Sequence, residues 1–371
     1  MINEYIDSLN LPELPDGKTR EKCLDIIQRE VYGYIPQKPE TLEWEIISHF
    51  DESAYAYAGG KADPTWIRIF GKANGRDWSF RVRVIIPEKA EKLPLFIHLN
   101  FLPDIPNKYQ PTEEIIDNGF ALINVCYSDV TVDNANFMDG ISRTFYPRGT
   151  RKNPTDAGKL AIWAWAAMRA LDFAQKAYAD KIDFENVAVA GHSRLGKTAL
   201  LTAAYDERFK FVFANCPGCG GDALEKVKHD DVEAYEKNPD IWPRAERIVN
   251  MVGSYPYWFC ENYLRYEKRP DLMEFDQHFL LACVAPRYLF TVAAFDDLWA
   301  DPKGQFLSLC LASKQYEKLG VKGFVHKGEF PEKNDYYYEG NIGHSLREGG
   351  HWQNRTDWLH YMDFMKRKMQ G

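Results

Sequence analysis

The segment Val187-Ala-Val-Ala-Gly191-His-Ser193-Arg-Leu-Gly196-Lys197-Thr-Ala-Leu constrains the fold more than any other stretch of this chain. A short, wholly apolar run passes through a few residues into an alanine- and leucine-rich run, with small residues at the turn. A strand that is apolar at every position is buried on both faces, as in a parallel sheet covered by helices. Leu93–Asn100 and Phe120–Cys126 have the same character, whereas Glu43–Phe50, Trp66–Phe70 and Phe80–Pro87 come earlier, where alternation suits an antiparallel edge. Further strands are expected at 186–190, 209–215, 287–293 and 321–327, and helices at about 19–31, 157–178, 194–205 and 356–369. Strands alternating with helices in this order predict an α/β fold, a mostly parallel sheet with helices on both faces in a three-layer sandwich. Residues 1–40, rich in Pro and charge, read as an N-terminal arm packed on a single catalytic domain over 41–371.

Charge and composition exclude several classes of function. The net charge is -8 and no Lys/Arg run is long enough to track phosphates, so nucleic acid is not an expected partner. No apolar stretch reaches the 18 residues of a membrane span. The first residues lack a basic region followed by an apolar one. The expectation is therefore a cytoplasmic protein, or a secreted or periplasmic one whose signal is absent from this sequence. The 7 cysteines are scattered and odd in number, which argues against a disulfide framework. Cys216 and Cys219 have CxxC spacing, but no second pair supplies further zinc ligands, so neither metal nor cofactor is expected. Aromatic residues make up 14%, an excess that serves a core and also suits stacking on sugar rings.

Ser193 stands between the apolar strand and the following helix, the context of a nucleophile held on a strained turn. Its Oγ would rise above the sheet edge while the next backbone N–H groups, at a helix N-terminus, face a developing oxyanion. The usual G-x-S-x-G spacing is not met: the second glycine comes one residue late, at 196, and Arg194 follows the serine. The competing reading is a serine that only caps the helix.

The run Gly191-His192-Ser193-Arg194-Leu195-Gly196-Lys197 resembles the nucleophile motif of the glucuronoyl esterase family, carbohydrate esterase family 15, within the α/β-hydrolase superfamily. Trp163-Ala-Trp165 and Arg169-Ala-Leu171-Asp172 are similar to the family's preceding helix. Tyr257-Trp258-Phe259, Phe275-Asp-Gln-His278, Ala285-Pro286-Arg287, Asp297-Leu-Trp299-Ala-Asp-Pro302 and Arg347-Glu-Gly-Gly-His351 are similar to its later blocks, in the correct order. The resemblance covers roughly residues 25–370. It implies an α/β-hydrolase in which Ser193 attacks an ester carbonyl and Arg194 serves the oxyanion site through its backbone N–H and guanidinium. It further implies that Lys197, Glu246 and Trp299 contact a sugar, and that the substrates are esters of 4-O-methyl-glucuronic acid, as in lignin–glucuronoxylan linkages.

Hydrolases of this superfamily order their triad as Ser, acid, His. The base must then follow the last strand, which leaves His351, after Gly349-Gly350, with His344 as the alternative. Many family members carry a Glu where this chain has Cys216, and a thiol cannot charge-stabilise an imidazolium. The acid is therefore expected in the loop after strand 287–293, at Asp297, with Asp296 still open. The resulting expectation is a serine esterase working through an acyl-serine intermediate. The alternatives are a deacetylase for xylan or another acetylated sugar, and an inactive carbohydrate-binding relative.

Overall fold

The computed structural model describes residues 2–48, 50–89, 91–230 and 244–370. The strands are β1 (Glu43–Ser48), β2 (Thr65–Ala73), β3 (Arg76–Ile85), β4 (Leu93–Asn100) and β5 (Ala121–Cys126). They continue with β6 (Ile182–His192), β7 (Phe211–Asn215), β8 (Tyr288–Ala294), β9 (Asp335–Tyr337) and β10 (Ile342–Arg347). All ten join one sheet in the order β1-β2-β3-β5-β4-β6-β7-β8-β10-β9. The first three strands are antiparallel and β3 meets β5 antiparallel. From β5 through β4, β6, β7 and β8 to β10 every pairing is parallel, and β9 closes the far edge antiparallel.

The continuously apolar strands are those buried on both faces. On β6, Val187 and Val189 point into one core layer, while Ala188 and Ala190 point into the other. The first layer is filled by the helices Lys159–Ala177, Arg194–Tyr205 and Pro302–Lys318, and the second by Arg355–Met369 with Trp358, Tyr361 and Phe364. Much of the aromatic excess goes into these layers, since Trp163, Trp165 and Trp358 are fully buried. The α/β three-layer architecture and the antiparallel edge expected from the sequence are both present. Among the described residues no helix is long and apolar enough to cross a membrane.

The N-terminal residues form the helices Ile2–Ser8 and Thr19–Ile27, the second running into a wider turn at Gln28–Tyr32 rather than staying α-helical to Val31. They lie against the sandwich: His278 Nε2 meets the Pro12 carbonyl at 3.0 Å, and the buried Tyr32 hydroxyl donates to the Gly220 carbonyl at 2.8 Å. Position 49, within the first expected strand, lies outside the described residues, as do 231–243 of the irregular region.

One expected strand is absent. Residues 321–327 form an isolated bridge, Phe324 with Ile342, in place of a strand. The place beside β8 is taken instead by β10, whose sequence Ile-Gly-His-Ser-Leu-Arg carries no apolar run. It is fully buried, and His344 Nδ1 meets Thr291 Oγ1 at 2.9 Å across the strand pair. The long helix Pro302–Lys318 was also not expected from the sequence. Its apolar pattern is interrupted by buried Gln305, Ser308 and Ser313, which weakens the periodicity that would reveal it.

Candidate active site

Ser193 stands at φ 57°, ψ −127°, a left-handed backbone that L-residues rarely adopt and that persists only when the surroundings enforce it. Its N–H donates to the Asn215 carbonyl of β7 at 2.8 Å, and its own carbonyl accepts from Gly196 and Lys197 in the first helical turn. The two glycines of the motif permit this turn. A Cβ on Gly191 would stand 2.2 Å from the Leu195 carbonyl oxygen, and one on Gly196 would crowd Asn215 at 3.1 Å. The displaced second glycine therefore still fills a packing need, and Leu195 is buried between the two.

His351 Nε2 lies 2.9 Å from Ser193 Oγ, and His351 Nδ1 lies 2.6 Å from Asp297 Oδ2. The tautomer protonated on Nδ1 donates to the carboxylate and accepts from the serine hydroxyl, so one ring satisfies both contacts. Asp297 is buried while His351 is exposed at the mouth. The two loops are stitched together by backbone bonds from Phe295 N to Arg347 O (2.8 Å) and from Asp296 N to Gly349 O (3.0 Å). Arg347 anchors the histidine loop: it donates to the Trp352 and Glu348 carbonyls and pairs at 3.0 Å with the buried Asp357 of the last helix. His344, the alternative base, is buried in β10 against Thr291, and Asp296 meets the histidine loop through its backbone N–H.

Cys216 lies at this same junction. Its thiol, the Asp297 carboxylate and the His351 ring offer ligand atoms within 4.8 Å of one another. Two ligands of one tetrahedral zinc stand about 3.3 Å apart. The 2.6 Å separation of Nδ1 and Oδ2 is that of a hydrogen-bonded pair instead. Burial, with the Asp297 charge beside it, pushes the Cys216 thiol well above its ordinary range, so it stays protonated. His192 lies with its ring 4.6 Å from that of His351 and tilted 47° to it, bonds Asn215 Oδ1 through Nδ1 at 2.7 Å, and is driven by burial to a pKa of about 3. It therefore stays neutral and adds no charge against an imidazolium at His351.

The sugar-contact candidates form a second group. Lys197 is almost completely buried and its Nζ donates to the Pro217 carbonyl at 2.6 Å. Glu246 N donates to the Trp299 carbonyl at 2.8 Å, and the Glu246 carboxyl, raised by burial, is drawn back by Lys197 and by a hydrogen bond from Trp299. The three residues are thus electrostatically and structurally linked. Asp222, which no motif marks in the sequence, is fully buried beside them; burial holds its carboxyl well above the usual range, and Lys197 opposes this most.

Arg194 points its guanidinium into an aromatic enclosure, with Cζ 4.8 Å from the Trp258 ring, 5.5 Å from Tyr255 and 5.6 Å from Phe101. Its ion-pair partner is Asp133. That aspartate lies in a polar loop, Thr131-Val-Asp-Asn-Ala-Asn136, where neither periodicity nor motif marks it in the sequence.

A family profile described as "Glucuronyl esterase, fungi" matches residues 69–320. A carbohydrate esterase from an unknown prokaryotic organism is 34% identical over 260 residues, covering 70% of this chain and 56% of that protein. A 4-O-methyl-glucuronoyl methylesterase of Cerrena unicolor is 26% identical over 216 residues, 57% of this chain and 43% of its own. The chain thus spans about half the length of these curated relatives. The solved glucuronoyl esterase of Solibacter usitatus superposes with a TM-score of 0.81 at 29% identity, covering 96% of this chain and 97% of that one.

Proposed function

The chain belongs to the glucuronoyl esterase family, and from that premise we infer that it is a serine carboxylic-ester hydrolase acting on esters of glucuronic or 4-O-methyl-glucuronic acid. The observation that carries the reading is the hydrogen-bonded series Ser193–His351–Asp297, assembled at the N-terminus of a helix on a strained turn. Ser193 Oγ attacks the ester carbonyl carbon while His351 Nε2 takes its proton. The carbonyl oxygen becomes an oxyanion facing the first N–H groups of the helix Arg194–Tyr205, with Arg194 adding positive charge. Collapse expels the alcohol, which leaves with the proton from His351. Water, deprotonated by the same ring, then cleaves the acyl-serine and releases the uronic acid. Asp297 holds the ring in its tautomer and stabilises the imidazolium. Lys197, Glu246 and Trp299 form the sugar side of the site.

A deacetylase reading draws on one observation: Lys197 Nζ is engaged with the Pro217 carbonyl, not directed at open solvent. Turnover of benzyl glucuronate beside p-nitrophenyl acetate separates the two. If Lys197 orients the uronate, Lys197→Ala lowers kcat/KM for the glucuronate ester by roughly 10–100-fold and that for p-nitrophenyl acetate by several-fold at most. Equal losses on both would mean damage to the elbow, and no loss on either would leave the glucuronate reading without its anchor. Absence of all Ser193-dependent turnover would favour an inactive, carbohydrate-binding relative.

A further inference from the structure

Arg194 is held from several sides, and the group that holds its charge is Asp133. One Asp133 carboxylate oxygen pairs with the guanidinium, while the other accepts from Trp258 Nε1 at 2.5 Å. The Asp133 backbone carbonyl accepts from the Tyr257 hydroxyl at 3.0 Å. Trp258 in turn stacks on Tyr255 with ring centroids 4.0 Å apart and 4° between planes, and both rings face the guanidinium. The Asp133 side chain is only 10% exposed. Its loop is pinned by the buried Lys159, whose Nζ donates to Thr131 Oγ1 at 2.7 Å, Asn136 O at 2.8 Å and Ser142 Oγ at 3.1 Å. An exposed ion pair would constrain an arginine little. This one is shielded by aromatic rings and built on a loop with its own buried anchor.

Resting on the function inferred above, we propose that Asp133 is a positioning residue that fixes the Arg194 guanidinium beside Ser193 and lowers its net charge. The second effect matters because the acid product of a uronate esterase carries its carboxylate where the ester carbonyl stood. A free arginine there would retain that anion. One already paired with a carboxylate supports the transient oxyanion, a charge developed at close range, while binding the departing acid less tightly.

Asp133→Asn keeps an acceptor for Trp258 Nε1 but replaces the oxygen that pairs with Arg194 by an amide NH2, so it removes the charge and the pairing together. It should lower kcat/KM by about 10–100-fold on benzyl glucuronate and on p-nitrophenyl acetate, with an unchanged melting temperature. At the same time glucuronate should inhibit the variant more strongly, with an inhibition constant about 3–10-fold lower. A merely loosened site would weaken turnover and acid binding together. In an Arg194→Met background, Asp133→Asn should change neither quantity by more than about twofold, because residues that act through one another are non-additive. Normal turnover in Asp133→Asn, a parallel loss of turnover and acid affinity, or the same loss without Arg194 would each overturn the proposal. Wild-type turnover of benzyl glucuronate tests the inferred function alone. The kcat/KM cycle on p-nitrophenyl acetate reads the Asp133–Arg194 coupling whether or not that ester is a substrate.

Discussion

Cys216 stands where the sequence resemblance implies a carboxylate. The position is not idle, because its thiol lies within 4.8 Å of the groups that Asp297 and His351 present. A carboxylate there would reach the histidine, but a buried thiol held in its protonated form cannot take that role. The proposed division of labour then makes a sharp contrast. Asp297→Asn should reduce turnover by on the order of 10⁴-fold, since the amide keeps the shape but loses the charge and the tautomer control. Cys216→Ala should alter turnover less than about tenfold. Steady-state kinetics on p-nitrophenyl acetate check both, and near-normal Asp297→Asn activity would move the acid elsewhere. Ser193→Ala should abolish turnover, about 10⁴–10⁶-fold, with the fold intact by circular dichroism.

Elements, rather than residues, set the distances between these groups. β6 delivers Ser193 and its turn tolerates no Cβ at position 191. Gly191→Ala would press a methyl onto the Leu195 backbone, and such overpacking destabilises by about 1–3 kcal/mol. The variant should melt lower and lose activity together. At the other end, the histidine loop hangs between β10 and the last helix on the Arg347–Asp357 pair, both side chains nearly inaccessible. Arg347→Met leaves a buried carboxylate uncompensated, which is worth about 3–5 kcal/mol of stability. Adding Asp357→Asn should recover much of that loss in urea unfolding. A double variant no more stable than Arg347→Met would show that the arginine acts through the carbonyls it caps and not through the pair.

At the scale of the whole molecule, the N-terminal residues are tied to the sandwich partly through a neutral histidine. His278 is fully buried, its Nε2 meets the Pro12 carbonyl, and its Nδ1 has no partner. Burial lowers its pKa to about 3, whereas the unfolded chain titrates it near 6.5. Below pH 6.5 the unfolded state takes up a proton that the native state refuses. The contribution is complete above that pH and declines as the pH falls toward 3, by up to about 1.4 kcal/mol per pH unit. His278→Gln, which keeps a donor for Pro12, should therefore flatten the dependence of stability on pH between 6.5 and 4 by about one proton. A parallel profile for wild type and variant in urea titrations would show that the ring is charged in the native state.

The apolar strands, the parallel core and the strand–turn–helix around Ser193 were determined by the sequence alone, because each is a local pattern that any compatible packing must satisfy. The order serine, acid, histidine narrowed the partners to two aspartates and two histidines. Tertiary structure decided which of them meet. Ser193 and His351 are 158 residues apart, and His351 and Asp297 are 54 apart. His344, also downstream, lies buried in a strand with its Nδ1 on Thr291, away from Ser193. That strand was hidden for the same reason that 321–327 misled: burial of polar residues depends on partners supplied by other elements, and hydropathy along the chain does not record them. The pairing of Asp133 with Arg194, across 61 residues and through an aromatic enclosure drawn from two further segments, had no local signature at all.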